Sequence, residues 1–382
     1  MTRPPTSLRT RIALLVRSLA FCALVVGMLG FVGLVVKPAR SGISVGNPWH
    51  SYSSLREQSV DVMFFGTSHA FTDIDPNVIW QRKGIPSFVL GGPMQTMEVT
   101  RYYVQEAFRT QRPKVVVLEM TATGYPAVQP KDQRHRYTQN FHRLNVGYMP
   151  MTLNRVEAAL FATESGDKTA VLVDAWMYHS RWPELTSKDF AVWSKHAGYE
   201  YLKGYVPRTG YRTVPSGVVA SYSWEVTETL HPDVAFHLPA LRAIARTCQK
   251  NGAELVLLIS PTGPAGKYSF YLRSAMSVLS KEYPNVRALD MSKPGGVRGL
   301  SYKTDFADGG HLNTTGARKA SIALADYLAS KYRLPDRRRD PAYRSWFDDV
   351  RKHDDYIAAR ERSKAEELAK KRPAKQRPKP KR

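Results

Sequence analysis

Short apolar runs alternate with stretches of helical periodicity along this chain, and that alternation constrains the fold more than any other feature of the sequence. Strands that are apolar throughout are buried on both faces, so the pattern favours a mostly parallel sheet covered by helices on each side. Five such runs predict a flavodoxin-like, doubly wound α/β fold with a parallel sheet of about five strands. The predicted strands are Val60–Phe65, Ser87–Leu90, Lys114–Met120, Glu254–Ser260 and Val286–Asp290.

Helices are predicted between and after these strands. Thr96–Thr110 keeps apolar residues at helical spacing, Val234–Lys250 ends before an Asn-Gly stop, and Thr314–Lys331 follows the last strand. A long segment, 121–232, separates the third and fourth strands, and a structureless loop of that length is uncommon in a compact domain. We therefore expect a helical insertion there. An amphipathic helix over 341–371 is expected to lead into the C-terminal tail.

The run Ser18–Val36 contains nineteen residues and no charge. At about 1.5 Å per residue it is long enough to cross a hydrocarbon core of about 30 Å, so it predicts a transmembrane helix. Four arginines precede it and only two cations closely follow it. The positive-inside rule then places residues 1–17 in the cytoplasm and a domain of residues 41–335 outside the cell membrane. The alternative is a cleaved signal peptide, but the run exceeds the usual length and lacks a convincing cleavage site.

The formal net charge of +23 by itself suggests nucleic-acid binding, but a membrane anchor conflicts with that class. Much of the excess lies in the last fourteen residues, AKKRPAKQRPKPKR, which hold eight cations and no acid. Proline and like-charge repulsion keep such a segment extended, so 341–382 is expected to be a helix followed by a disordered basic tail. Anionic wall polymers or lipid headgroups are its expected partners, the alternative being a solvated tail without a specific partner.

Neither a disulfide nor a metal centre is expected. Cys22 falls inside the apolar run and Cys248 inside a predicted helix, a placement that does not allow pairing. No Cys/His cluster has the spacing of a zinc site. The sequence therefore predicts no metal and no cofactor.

Ser68 follows the first predicted strand directly, in the run VDVMFFGTSHAFTDIDP. Ligands bind at the carboxyl ends of the strands in an open α/β sheet, so this hydroxyl is expected to project into the binding crevice. By itself the position is a weak signal, because Thr67 or Ser68 can equally cap a helix.

A second motif, DFADGGHLNTTGARKA, places Asp308 and His311 just before the last helix, at the same edge of the sheet. A serine hydroxyl needs an imidazole base, and the imidazole needs a carboxylate that holds its tautomer and stabilises its cation. Asp-x-x-His allows the carboxylate to reach Nδ1 while Nε2 faces the serine. Ser68, Asp308 and His311 are therefore the predicted catalytic residues, with Asp305 as the alternative carboxylate.

These motifs resemble those of the SGNH/GDSL hydrolase superfamily over residues 60–120 and 234–332. GTSHA matches the family block that carries the serine, and Asp308-Gly-Gly-His311 matches its last block. VLGGPMQT is similar to the second block, in which a glycine amide supports the oxyanion. The resemblance implies a three-layer SGNH fold and an oxyanion hole formed by the backbone of Ser68 with Gly91 or Gly92.

One departure from the family is visible. Its third block supplies an asparagine to the oxyanion hole, whereas this chain reads VVVLEMTATGY at that place. His69 or Gln95 can compensate as substrate-binding side chains, but a structural imidazole and a helix-capping amide are the alternatives. Loss of one donor typically costs about a hundredfold in rate, so weak general esterase activity is expected.

The chain resembles the membrane-anchored branch that includes DltD-like and alginate-acetylation proteins. That resemblance implies O-acyl transfer, most simply of acetyl, to a cell-surface glycopolymer beside a membrane-bound O-acyltransferase. A noncatalytic, membrane-tethered glycopolymer-binding or assembly factor on a degenerate SGNH scaffold is the alternative. Aromatic and cationic residues of the insertion are candidates for a sugar-stacking surface, or simply for its core. They are Tyr137, His142, Trp176, Tyr178, His179, Arg181 and Trp182.

Overall fold

The computed structural model of the chain describes residues 7–38, 48–124, 141–163, 166, 168–192, 198–214, 230–263 and 265–371. Its five strands are β1 (Val62–Gly66), β2 (Ser87–Gly91), β3 (Val115–Glu119), β4 (Glu254–Ile259) and β5 (Val286–Asp290). They form one parallel sheet in the order β2-β1-β3-β4-β5, a doubly wound order that reverses direction at β1. Each strand lies within, or one residue beyond, the limits predicted from the apolar runs.

Helices cover both faces of this sheet, which gives the α/β class expected from the alternating pattern. The longer helices are α1 (Leu8–Val36), α4 (Pro76–Lys83), α5 (Met97–Ala107), α7 (Leu153–Phe161), α10 (Pro232–Lys250), α11 (Ala265–Glu282), α12 (Thr314–Lys331) and α13 (Ser345–Lys371). The shorter ones are α2 (Pro48–Ser53), α3 (Ser68–Asp73), α6 (141–147), α8 (Asp174–Met177) and α9 (Ser187–Phe190). The described residues also contain five 3₁₀ turns, at Thr121–Gly124, His179–Glu184, Glu200–Leu202, Arg337–Arg339 and Pro341–Tyr343.

Successive residues of each strand point to opposite faces and enter different parts of the core. Phe65 of β1 packs with α5, α10 and α11 on one face, whereas Phe64 packs with α4 and α12 on the other. Both rings are almost completely buried. Replacing Phe64 by alanine should cost about 3–5 kcal/mol of stability, because neighbouring side chains fill such a cavity only in part.

Helix α1 is long and apolar enough to span a membrane. It begins ten residues before the predicted span, because Ser7 caps it through a bond from the Thr10 N–H to Ser7 Oγ. Its apolar side chains are exposed along most of its length. Within the helix only Gly33, Val35 and Val36 are buried, which places its contact with the rest of the protein at its last turn.

The insertion contains helices, as expected from its length. Between the third and fourth strands the described residues hold α6, α7, α8, α9 and two of the 3₁₀ turns besides the turn that opens the segment. Residues 198–214 of the insertion run over the edge of the sheet that carries Ser68. There the Val206 N–H donates to Phe71 O at 2.7 Å.

Helix α13 packs on the domain rather than leading away from it. Trp346 and His353 are buried, and His353 Nε2 lies 2.8 Å from Asp75 Oδ2. Lys203 Nζ also binds Asp349 Oδ2 at 2.6 Å. The helix starts at Ser345, four residues after the predicted Pro341, because Pro341–Tyr343 forms a separate 3₁₀ turn. The basic tail after residue 371 lies outside the described residues.

Candidate active site

Ser68 follows β1 through a turn that requires glycine. Gly66 has φ +144°, and a Cβ there would come within 2.7 Å of Glu119 Cβ. Thr67 is the N-cap of α3, and its Oγ1 accepts the His69 N–H at 3.3 Å. Because Thr67 caps the helix, the Ser68 hydroxyl is left for another partner at the carboxyl edge of the sheet.

That partner is His311. Ser68 Oγ lies 2.7 Å from His311 Nε2, a distance at which the serine hydroxyl can donate a hydrogen bond to the ring. On the other side of the ring, Nδ1 lies 2.9 Å and 3.0 Å from the two carboxylate oxygens of Asp308. The structure therefore brings Ser68, His311 and Asp308 into one continuous chain of hydrogen bonds.

The Asp308 carboxylate is held by its own turn. Its Oδ1 accepts the backbone N–H groups of Gly310 at 2.9 Å and His311 at 2.8 Å. Burial alone would raise the pKa of Asp308, but the His311 ring and these two N–H groups outweigh burial and hold that pKa well below its ordinary range. An ionised carboxylate at this place can fix the His311 tautomer and stabilise an imidazolium.

The alternative carboxylate, Asp305, is engaged elsewhere. It is buried, accepts the Ser301 N–H at 2.7 Å, and binds Lys319 Nζ at 2.7 Å. Asp305 therefore shapes the loop before α12, and the carboxylate that contacts His311 is Asp308.

Asp73, at the end of α3, joins three parts of the site. Its Oδ1 accepts the Leu312 N–H at 2.9 Å, which ties the loop of His311 to the helix of the serine. Its Oδ2 lies 3.0 Å from His69 Nδ1 and accepts Ser260 Oγ, just after β4, at 2.7 Å. Asp73 is completely buried. The sequence analysis does not predict a role for Asp73, although its place four residues after His69 is the spacing of a helical pair.

Glu119, at the end of β3, holds the residue before the serine. It is completely buried and accepts the hydroxyl of Thr67 at 2.7 Å. Both the N–H and the hydroxyl of Thr121 also donate to it. Moving a buried carboxylate away from its donors would leave it without hydrogen bonds, which is strongly unfavourable. Glu119 therefore fixes the position of the turn that carries Ser68. A lone acid at the end of an otherwise apolar strand was the available sequence signal.

His69 stacks on His311, with ring centroids 4.6 Å apart and planes inclined by 21°. Burial lowers the pKa of His69, but its hydrogen bond to Asp73 and the charges of Asp73, Glu119 and Asp308 outweigh burial, so this pKa lies above 6.5. His69 is buried, with its Nδ1 bound to Asp73. Its contacts are those of a side chain that supports His311 from one face.

Residues 208–214 of the insertion are hydrogen-bonded to the loop that carries Asp308. The backbone of 208–214 bonds to residues 302–314 through Arg212 N–H to Phe306 O and Thr314 N–H to Arg208 O, at 2.8 and 2.9 Å. Arg208 Nη1 also lies 3.2 Å from Asp308 Oδ2, on the partly exposed side of the carboxylate. No motif marked Arg208 in the sequence, since its partner is a hundred residues away.

Gly91 and Gly92, the glycines expected in the oxyanion hole, differ in their backbone contacts. The Gly92 N–H donates to Gly66 O at 3.1 Å, so this amide already has a partner. Gly91 pairs with Gly66 across the sheet, and a Cβ at Gly91 would come within 2.8 Å of Gly66 O. Ser68 begins α3, so its N–H has no acceptor within the helix and stays available for an oxyanion.

Gln95 is completely buried, and its Nε2 donates to Thr100 Oγ1 at 2.9 Å. The N-cap of α5 is the next residue, Thr96, whose Oγ1 accepts the Val99 N–H. Asn145 from the insertion packs against the same loop, where a Cβ on Gly92 would lie 2.0 Å from its Oδ1. Its Nδ2 donates to Pro93 O at 3.0 Å. These contacts explain why glycine is needed at position 92.

The candidate sugar-stacking residues that the structure describes differ in exposure. His142 is buried, whereas Trp176 and Trp182 are more than half exposed. Arg181 donates to Val36 O at the end of α1 and binds Asp189 at 3.2 Å. Half-buried Tyr178 and exposed His179 lie between these two tryptophans in the chain, and Tyr137 is outside the described residues.

In the described part of the chain, no group of three or more His, Cys, Asp or Glu side chains is arranged to hold a metal ion. Cys22 is exposed on α1 and Cys248 is buried in α10, and both are free thiols. What the site offers is therefore a serine, a base and a carboxylate, with two further buried acids that position them. No protein-family model matches this chain, and no curated protein matches it by sequence.

Proposed function

We propose that this protein is a membrane-anchored serine acyltransferase or esterase of the SGNH type. The observation that carries the proposal is the continuous chain of hydrogen bonds from Ser68 Oγ through His311 to Asp308, at 2.7 Å and 2.9 Å. Hydrogen bonds of this length are those that nucleophilic catalysis by serine requires. Two buried carboxylates, Asp73 and Glu119, hold its parts in place.

The chemistry follows from the roles of these atoms. Ser68 Oγ attacks the acyl carbonyl of a donor while His311 Nε2 takes its proton, and the leaving group receives that proton as the acyl-Ser68 ester forms. An acceptor hydroxyl then attacks the ester and gives its proton to His311, which returns it to Ser68 Oγ as the ester bond breaks. Asp308 stabilises the imidazolium in both steps. Water as the acceptor gives hydrolysis, and a sugar hydroxyl gives transfer.

The oxyanion donors are the weakest part of this arrangement. The Ser68 N–H is available, but the Gly92 N–H already binds Gly66 O. Because one missing donor costs about 10²–10³ in rate, slow turnover of simple esters is expected. The same feature favours the second candidate, a noncatalytic glycopolymer-binding or assembly factor on the same scaffold.

The resemblance noted in the sequence supplies the rest of the proposal. Helix α1 spans the cell membrane with its N-terminus in the cytoplasm, so that the catalytic domain lies outside, as the arginines before the apolar run favour. The acceptor is a cell-surface polysaccharide or wall polymer, and the acyl group, most simply acetyl, comes from a membrane-bound O-acyltransferase. Neither nucleic acid nor a cofactor has a part in this proposal.

Labelling with a fluorophosphonate tests it. The probe reacts with an activated serine, so the wild-type chain should be labelled and Ser68→Ala should not. Ser53→Ala is the matched control, because Ser53 Oγ donates only to His50 O within a short helix and should not affect labelling. Equal labelling of the wild type and Ser68→Ala, or no labelling of either, would favour the noncatalytic alternative.

A further inference from the structure

Three exposed aromatic side chains lie on elements that pack against α1. Trp176 of α8, Trp182 of the turn His179–Glu184 and Phe190 of α9 are 66%, 53% and 56% exposed. Each of these three elements contacts α1. Large rings at this degree of exposure are unfavourable in water, and three of them on elements that contact one helix mark an interaction surface. We call Trp176, Trp182 and Phe190 the aromatic collar.

The end of α1 is fixed to the collar elements by buried charged groups. Lys37 Nζ binds Asp174 Oδ2 at 2.9 Å, with both side chains largely buried, and also donates to Gly147 O. Arg155, itself buried, binds the other oxygen of Asp174 at 3.1 Å. A buried ion pair is strongly destabilised when one partner moves away, so these contacts hold α1 in one orientation.

Backbone packing adds to this restraint. A Cβ on Gly33 would come within 3.1 Å of Asp174 Cβ, so α1 and α8 lie in close contact. Arg181 donates to Val36 O, one of the carbonyl groups that the helix end leaves without an internal partner. The helix is therefore docked on the insertion and is not a free tether.

The position of the collar along α1 matches a membrane interface. The helix has 29 residues, or about 43 Å at about 1.5 Å per residue, whereas a hydrocarbon core is about 30 Å thick. Its exposed apolar side chains continue to Leu34, and burial by the insertion begins in the same turn. Tryptophan is enriched where hydrocarbon meets headgroups, because its ring is apolar and its N–H is polar. Exposed Lys188, two residues from Phe190, can reach a lipid phosphate.

We propose that the aromatic collar inserts into the interface of the phospholipid bilayer crossed by α1. Lipid is the favoured occupant because the collar is continuous with the exposed apolar surface of the helix. The collar thus replaces the sugar-stacking role considered for Trp176 and Trp182. Together with the docked helix end, it sets the height and tilt of the domain above the membrane. The inference rests on the membrane placement proposed above, but not on catalysis.

Quenching by brominated lipid tests the collar directly. The full-length chain is reconstituted alone into phosphatidylcholine vesicles with or without bromine on the acyl chains near the headgroup, and tryptophan fluorescence is compared. The chain has seven tryptophans. Replacing Trp176 and Trp182 together by phenylalanine should remove about half or more of the quenching, because interfacial tryptophans lie at the depth of the bromine.

Trp346→Phe is the matched control. Trp346 is buried against Trp80, so its replacement should leave the bromine-dependent quenching unchanged. Flotation of the vesicles at high pH reports separately whether α1 is in the bilayer. If the chain floats but the double variant is quenched like the wild type, the collar does not contact lipid and a protein occupant replaces it. If the chain does not float, the membrane placement and the collar both fail, whereas fluorophosphonate labelling still reports on the serine.

Discussion

Replacing Asp73 should separate the integrity of the site from its chemistry, because this carboxylate touches no reacting atom. It accepts hydrogen bonds from the Leu312 N–H, the Thr72 and Ser260 hydroxyls, and lies 3.0 Å from His69 Nδ1. Asp73→Asn keeps the shape and removes the charge. Asp73→Ala removes every acceptor at once.

The magnitudes follow from these partners. In Asp73→Ala the Leu312 N–H and the His69 ring remain buried without an acceptor, and at about 1–3 kcal/mol for each group the loss is about 4 kcal/mol. The hydroxyls of Thr72 and Ser260 can rotate to other partners and add little. In Asp73→Asn, charge-assisted bonds of about 1.5–3 kcal/mol become neutral bonds of about 0.5–1.5 kcal/mol, so we expect a loss of about 2 kcal/mol.

Urea unfolding of each variant measures the free energy, and the rate of fluorophosphonate labelling measures how well Ser68 and His311 remain aligned. The matched control is Asp326→Asn, since Asp326 pairs with Arg82 and Lys83 at the surface and should contribute less than about 1 kcal/mol. Labelling should fall more in Asp73→Ala than in Asp73→Asn and should not change in the control. Losses no larger than that of the control would refute the view that Asp73 ties the His311 loop to α3.

Three other predictions concern the triad and pH. Ser68→Ala and His311→Ala should each abolish turnover of an aryl ester, and the double variant should be no worse than either, because the two act as a unit; additive losses would contradict this. Asp308→Asn should lower turnover by about 10⁴, because the required tautomer of His311 is lost, whereas Asp305→Asn should mainly lower the free energy of unfolding. The reverse result would make Asp305 the carboxylate that acts on His311. Burial lowers the pKa of His353, but the charge of Asp75 and hydrogen bonds to Asp75 and Asp354 raise it overall. The folded pKa therefore exceeds the unfolded value, so this pair stabilises the fold fully below about pH 6.5 and progressively less as pH rises through the folded pKa. Urea unfolding between pH 6 and 9 should show a shallower decline for His353→Gln, and parallel curves would count against the pair.

Local sequence patterns were sufficient for the sheet. Strands β1 to β5 are short, apolar and separated by helical periodicity, so each was predicted to within two residues at either end. Helix α1 was harder to delimit, because the three arginines in its first turns are compatible with a helix but not with a purely apolar span. The docking of α13 was not predicted, since its contacts through Trp346 and His353 depend on partners hundreds of residues earlier.

For the candidate site, too, local sequence patterns predicted some residues and missed others. Ser68, Asp308 and His311 were predicted because the α/β pattern places strand ends and the last loop at one edge. Asp73 and Glu119 were missed, since a buried acid is recognised only once its donors are known. The expected role of Gly92 depended on a free amide, which the register of β1 and β2 does not leave free.

The insertion contacts both the end of the proposed membrane helix α1 and the loop of the proposed catalytic Asp308. Its residues Asp174 and Arg181 hold the end of α1, and its segment 198–214 bonds to the loop of Asp308. A domain on a free tether would sample every orientation, so a membrane-bound acyl donor would meet Ser68 only occasionally. A docked helix end, with the collar inserted as proposed, would limit the domain to one tilt, and the chemical step would then gain from fixed proximity and orientation. Breaking the Lys37–Asp174 ion pair by substitution should therefore slow acyl transfer from a membrane-bound donor and leave fluorophosphonate labelling of Ser68 unchanged. Equal slowing of transfer and labelling would show that the ion pair contributes only to the stability of the fold.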